Sequence, residues 1–320
     1  MEDNNNIQFW REIIVEASGI DYGTPVPELD DLFLNIWSGH YHRISQLVIE
    51  SIYGDCRFPR DDESHIKKKA APCTPKDSDC LPNGGGLTQN SAHCMDFLEI
   101  GTGFGVLAAG ITRLTKGRCF TVEHPSREYF HKRGYLAFLR ENSTEMAGCD
   151  LKEGLPFKNG SISVICLCDV IEHLHFDDVR TLLDEMERVL VPRGRIIIST
   201  PNLLRLGNLV RIAAGHSPNP PIYPETCGQT HGHIREFAPK ELARLLNRHG
   251  FEIKHRCFGL NPFFSSQAFG EENIFSKREA LWIERLTRWL IKPFPYIGDE
   301  IYLNAKKNNF KNKKCSVSQN

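Results

Sequence analysis

The sequence predicts an α/β fold, a doubly wound and mostly parallel sheet preceded by helices. Three observations carry that expectation. From residue 94 onward, strand-like apolar runs alternate with helical stretches. The run Met95 to Ile100 ends in Gly101, Gly103 and Gly105, and Val106 to Ile111 follows; this reads as a buried strand, a turn suited to glycine, and a helix start. Ser163-Val164-Ile165-Cys166-Leu167-Cys168 is a short continuous apolar run, as expected of a parallel strand covered on both faces.

Composition sets the outer bounds. The chain has 320 residues, 40% hydrophobic and 25% charged, enough for a sizeable core in an ordinary globular protein. A formal net charge of −1 gives no general electrostatic case for nucleic acid. The 11 cysteines contain no C-x-x-C pair, which favours a reduced, intracellular protein over a disulfide scaffold. Met1 to Asn6 is acidic and polar, unlike a secretory signal, and no apolar run approaches the ~20 residues of a membrane span. A cytoplasmic location is the expectation, and nothing in the sequence sets an oligomeric state.

Taken in order, residues 7–17 and 28–53 read as helices, with apolar spacing at Leu32, Leu34, Ile36, Trp37, Ile44, Leu47, Val48 and Ile52. Residues 1–53 are therefore assigned as an N-terminal helical cap. In 54–93, Pro59, Pro72, Pro75, Pro82 and Gly84-Gly85-Gly86 sit among charges without periodicity, as in a linker or mobile loop. A lid is the sharper reading of that stretch. Residues 94–307 form the main domain. Its further expected strands are Arg118 to Glu123, a short one ahead of Gly148, Arg195 to Ser199, Phe251 to Phe258 and Glu300 to Ala305. Helices are expected over 127–141, along the stripe Val179, Leu182, Leu183, Met186, Val189 and Leu190, from Pro239 to Gly250, and over 277–291. Pro192 and Gly194 are expected to end the stripe-bearing helix. Residues 308–320, with Lys311, Lys313 and Lys314, read as a disordered basic tail.

The glycine turn is spaced G-x-G-x-G and led by Glu99, whereas the dinucleotide fingerprint is G-x-G-x-x-G. A carboxylate on such a loop suits a cationic ligand group better than a pyrophosphate. Glu99-x-Gly101-x-Gly103-x-Gly105 resembles the first motif of the class I S-adenosylmethionine-dependent methyltransferases. The resemblance implies that Glu99, Gly101, Thr102, Gly103 and Gly105 hold the methionine end of S-adenosyl-L-methionine. Glu123 ends the second strand, about 20 residues after Gly101, where nucleotide-binding α/β folds place an acid for the ribose hydroxyls. By the same resemblance Asp150, with Leu151, contacts the adenine. Leu155 to Ile165, running into Asp169-Val170-Ile171-Glu172-His173-Leu174, is similar to the family's fourth-strand signature, so the Asp169 turn is expected at the methyl group. Gly298 to Lys306 fits the family's closing antiparallel strand, which implies a Rossmann-like sheet of seven strands.

A hydroxyl acceptor gains from a general base, usually His, Glu or Asp. His173 and His175 follow the fourth strand and Thr200-Pro201-Asn202 the fifth; Thr230 to Phe237 is dense in proton-transfer groups. His233 and His173 are the catalytic candidates, with His231 beside them; a loop histidine bonded to backbone is the plain alternative. Asp169-x-x-Glu172-His173 with His233 could also gather round a divalent cation. That pattern resembles the metal site of small-RNA terminal-ribose 2′-O-methyltransferases, which carry glutamate where this chain has Asp169. No metal is assigned, because Glu-His at this turn is common among family members that need none. Residues 203–229 read as an insertion that selects the acceptor. Phe263, Phe264, Phe269, Phe275, Trp282 and Trp289 lie among Lys277, Arg278, Arg285 and Arg288, and packing against the sheet or another subunit is favoured over a lipid surface. The expected function is O-methylation of a small-molecule or glycan-type acceptor. The alternatives are a metal-assisted RNA ribose methyltransferase and a cofactor-binding scaffold without catalysis.

Overall fold

Strand order explains how the chain builds a site. The computed structural model describes residues 2–20, 31–53, 96–115, 117–218, 233–260 and 277–308. Its seven strands are β1 (Phe97–Ile100), β2 (Cys119–Glu123), β3 (Thr144–Gly148), β4 (Ile162–Cys168), β5 (Leu190–Pro201), β6 (Phe251–Gly259) and β7 (Glu300–Lys307). They form one sheet in the order β3-β2-β1-β4-β5-β7-β6. All neighbouring pairs are parallel except those of β7, which runs antiparallel to both β5 and β6. The order reverses direction between β1 and β4, and open α/β sheets bind ligands outside the carboxyl ends at such a switch point.

Each face of the sheet carries its own core. On one side α1 (Glu2–Ser18), α2 (Asp31–Tyr53), α3 (Val106–Thr115) and α4 (Arg133–Glu141) pack around Phe97, Val164, Cys166, Ile197 and Tyr302. On the other, α5 (Phe176–Val189) and α7 (Pro239–Arg248) cover Leu98, Ile100, Ile165, Leu167, Ile196 and Ile198. Alternation along each strand divides the residues between the two cores. The predicted α5 stripe is buried at Val179, Leu182, Leu183, Met186 and Val189, each side chain contributing roughly 1.5–3 kcal/mol. Trp10 of α1 lies over Gly110 of α3, where a Cβ would meet the indole at 2.1 Å. Only glycine permits so close an approach of the two helices. Two further helices, α6 (Leu206–Ala213), which follows β5, and α8 (Lys277–Leu290), touch one another.

The structure departs from the sequence reading in two places. α5 ends at Val189, before Pro192 and Gly194, because Gly160 and Ser161 donate their N–H groups to the carbonyls of Arg188 and Val189. Pro192 and Gly194 lie inside β5, whose pairing with β4 shifts register between Ile162 and Val164; Arg193 there has φ 67°. The helix expected over 127–141 divides at Lys132 into a 3₁₀ turn, Glu128–His131, and α4. The expected linker at 54–93, His231 and the tail beyond Asn308 lie outside the described residues.

Candidate functional site

β1 delivers the glycine turn to the switch point. Gly101, Gly103 and Gly105 have φ of 78°, 52° and 74°, left-handed conformations that side chains rarely adopt. A Cβ at Gly101 would strike Val170 at 2.4 Å, and one at Gly105 would strike Leu139 at 2.8 Å. A Cβ at Gly103 would meet nothing within 4 Å. The first and last glycines are thus packed shut, and the middle one opens onto space that a ligand can take. Thr102 is buried and bonds the Val122 carbonyl at 3.3 Å, tying the turn to β2.

Glu123, at the tip of β2, closes the turn from the side. Its carboxylate accepts from Gly103 N (3.3 Å), His124 N (2.8 Å) and the Tyr129 hydroxyl (2.8 Å). The Tyr135 hydroxyl donates to the Gly103 carbonyl at 2.9 Å, so both backbone groups of Gly103 are held. The next strand tip lies alongside, with Cys149 N bonding the Glu123 carbonyl at 3.0 Å. Asp150 accepts from Lys152 N at 3.0 Å and lies 3.8 Å from His124 Nε2; Leu151 is half-buried against the core. Glu99 is buried inside β1 and accepts from Ala108 N at 3.2 Å. Desolvation, with the neighbouring Cys168, holds its carboxyl well above the usual range.

The comparisons with known proteins bear on this cradle. The family described as methyltransferase domain matches residues 68–256, more than half of the chain and inclusive of every residue just named. The chain belongs to the class I S-adenosylmethionine-dependent methyltransferases. It is 33% identical over 109 residues to a Mycolicibacterium smegmatis protein described as a probable S-adenosylmethionine-dependent methyltransferase. That match spans 33% of this chain and only 36% of the relative's length. Among solved structures, an S-adenosylmethionine-dependent methyltransferase from Archaeoglobus fulgidus is 19% identical, with 67% of this chain and 87% of that one covered and a TM-score of 0.38. A chain of the Haloferax volcanii Trm112 methyltransferase activator complex is 16% identical, with 68% and 83% covered and a TM-score of 0.46.

In this family member the other side of the switch point is polar and acidic. Asp169 follows β4 with φ 53°, a left-handed conformation that Asp tolerates better than most side chains. It accepts from Ser199 Oγ at 3.1 Å and faces His40 Nε2 at 3.6 Å. Burial and the Glu300 charge raise its pKa to about 6, against the pull of His40 and Ser199. His40 itself is buried on α2, with Nδ1 3.0 Å from both Glu300 Oε2 and the Tyr302 hydroxyl; Tyr302 in turn bonds Glu300. Burial alone would lower its pKa, but Glu300 and Asp169 outweigh that and lift it to about 9.

Glu172, wholly buried, accepts from Thr200 Oγ1 at 3.0 Å, while its Oε1 has no hydrogen-bond partner. Desolvation and Asp169 push its carboxyl well above the usual range. The Glu172 main-chain carbonyl accepts from Ile234 N (2.8 Å) and Arg235 N (3.1 Å), which brings His233 to the turn. The His173 and His233 rings lie 4.9 Å apart at 74°, and His173 Nε2 is 3.8 Å from Glu172 Oε1. Glu172, His173 and His233 thus offer three ligand atoms within 4.8 Å of one another, a set that could take a divalent cation. Asp169, expected in the same group, gathers instead with His40 and Glu300.

His233 has a rigid backing. Its Nδ1 is 3.3 Å from Glu236 Oε1, and Glu236 is also held by Arg205 (2.6 Å) and Asn208 (2.9 Å). Burial would raise Glu236, but bonds from His233, Arg205 and Asn208 prevail and lower its pKa, so it is an anion. An anion at Nδ1 sets the tautomer that leaves the lone pair on Nε2, the arrangement of a general base. Sequence reading missed His40, Glu300 and Tyr302. Signals for them existed: His40 precedes Ile44 by four positions on the buried stripe of α2, and Glu300 alternates with Tyr302 on one face of β7.

Proposed function

We propose that this chain methylates a hydroxyl on a small-molecule or glycan-type acceptor, with S-adenosylmethionine as donor. When bound, the cofactor supplies a methyl group on a positively charged sulfonium. The open space at Gly103, the buried acids Glu99, Glu172 and Glu300 and the half-buried Asp169 suit a cationic ligand. In this reading Glu99, Thr102 and the glycine turn hold the methionine end. Glu123 exchanges its Tyr129 and Gly103 bonds for the ribose diol, Asp150 and Leu151 border the adenine, and Asp169 borders the reacting end. The acceptor oxygen forms its bond to the methyl carbon as the carbon–sulfur bond breaks, and the hydroxyl proton passes to His233 Nε2. His173 lines the acceptor side. The observation that carries the reading is the His233–Glu236 pair, a backed imidazole delivered to the β4 turn.

The test is incubation with methyl-labelled cofactor and fractionated extract, followed by identification of the labelled product. Label on an oxygen supports the proposal; label on nitrogen or carbon overturns the hydroxyl assignment, and cofactor binding without any transfer would favour a scaffold. One observation supports a second reading. The unpartnered Glu172 Oε1 beside His173 and His233 suits a cation, which would make those histidines ligands and not bases. Metal analysis of the purified chain and loss of activity with a chelator separate the two. Nothing among the described residues directs either reading to RNA.

A further inference from the structure

The outward face of α8 is built the wrong way round for a helix that ends at solvent. Trp282 and Trp289 are 65% and 71% exposed, two turns apart, with exposed Arg285 and Arg288 sharing roughly a third of the helix circumference with them. Thr287 is buried and Leu286 and Leu290 are half-buried, so the helix packs through its other side. Beyond α8, Lys292, Phe294 and Tyr296 are exposed, and so are Leu209 and Ile212 of α6, a helix that touches α8. Large exposed apolar side chains in one patch mark an interaction surface.

This patch is fastened to the site. Asn202, at the carboxyl end of β5, donates to the carbonyls of Tyr296 (2.8 Å) and Gly298 (2.7 Å). Arg205 and Asn208, at the start of α6, hold the Glu236 that backs His233. Whatever the patch rests on therefore sits beside the acceptor side of the site. We propose that this face docks on an anionic lipid bilayer and holds the site at that surface. Tryptophans and arginines on one exposed face are the composition of interfacial helices, with indoles at headgroup depth and cations on anionic headgroups. A two-fold contact with a second copy would instead gather Arg285, Arg288 and Lys292 of both copies into one interface. No helix among the described residues is long and apolar enough to cross a membrane, so the chain would lie on the bilayer. Docking does not depend on methyl transfer; that it serves the acceptor rests on the function proposed above.

The test uses the full chain with vesicles of phosphatidylcholine alone and vesicles in which about a third of the lipid is phosphatidylglycerol. Cosedimentation and a blue shift of tryptophan emission are expected on the anionic vesicles, at least about tenfold weaker on the neutral ones, and reduced by salt. The pairs Trp282→Ser with Trp289→Ser, and Arg285→Glu with Arg288→Glu, should each weaken vesicle binding about tenfold or more while cofactor affinity, measured on the same samples, is unchanged. Absence of binding to either vesicle, binding that neither pair disturbs, or a dimer that the tryptophan pair dissolves would overturn the proposal. Loss of cofactor binding in the unaltered chain would instead count against the proposed function alone.

Discussion

The two sides of the switch point are built by different means. The β1–β3 side is local: strand, turn and strand tip lie within one continuous stretch, and most of its contacts join neighbouring tips, such as Glu123 to Gly103 and Cys149 to Glu123. The β4–β7 side is assembled from afar. His40 meets Glu300 and Tyr302 across nearly the whole chain, Glu172 takes its backbone partners from residues 234 and 235, and Asn202 holds the carbonyls of residues 296 and 298. Local geometry suits a ligand that is always the same; distant contacts let the facing side vary without disturbing it.

The contrast can be broken most sharply at Gly103. Gly103→Val meets no steric clash but puts a branched side chain at φ 52°, a strained backbone, so its melting is followed alongside binding. In the folded variant cofactor affinity should drop at least about a hundredfold as the side chain takes the ligand's space. Unchanged affinity by titration would show that the open space is not the cofactor's. On the facing side, His233→Ala should lower kcat about a hundred- to ten-thousandfold and leave cofactor affinity alone. A matching fall in affinity would mean the two sides are not separable.

The pH dependence of stability sharpens the comparison through His40, which belongs to the facing side. His40 binds its proton more tightly folded than unfolded, so its contribution is complete below pH 6.5 and is lost as pH rises through about 9. Denaturant titrations should show a loss of up to about 3 kcal/mol across that window, absent in His40→Gln. A flat profile in the unaltered chain would contradict the charged His40–Glu300–Asp169 arrangement. The smallest effect is expected at Glu123→Gln, which keeps the shape but weakens the acceptor for the ribose diol; affinity should fall about tenfold with kcat unmoved.

That division also explains what the sequence made legible. The glycine turn could be read because its φ values are ones that glycine alone adopts easily. The roles of Glu99, Glu123 and Asp150 toward the cofactor, expected from the motif resemblance, belong to the proposal above. The seven strands and the antiparallel last strand match the expectation drawn from the motif resemblance. His40 escaped because a histidine on a helical stripe looks like any other core position until its partners on β7 are known. Pro192 and Gly194 misled because α5 is ended by the N–H groups of Gly160 and Ser161, which captured its last carbonyls from a separate loop. Glu236 was visible in the sequence, but its part in backing His233 depends on Arg205 and Asn208 from α6.

Titration calorimetry of S-adenosylmethionine into the unaltered chain is the most direct measurement of all. One site with affinity on the order of micromolar is expected, weakened beyond detection in Gly103→Val. A folded chain that takes up no cofactor would contradict the assignment of the β1–β3 cradle, and with it the methyl-transfer reading.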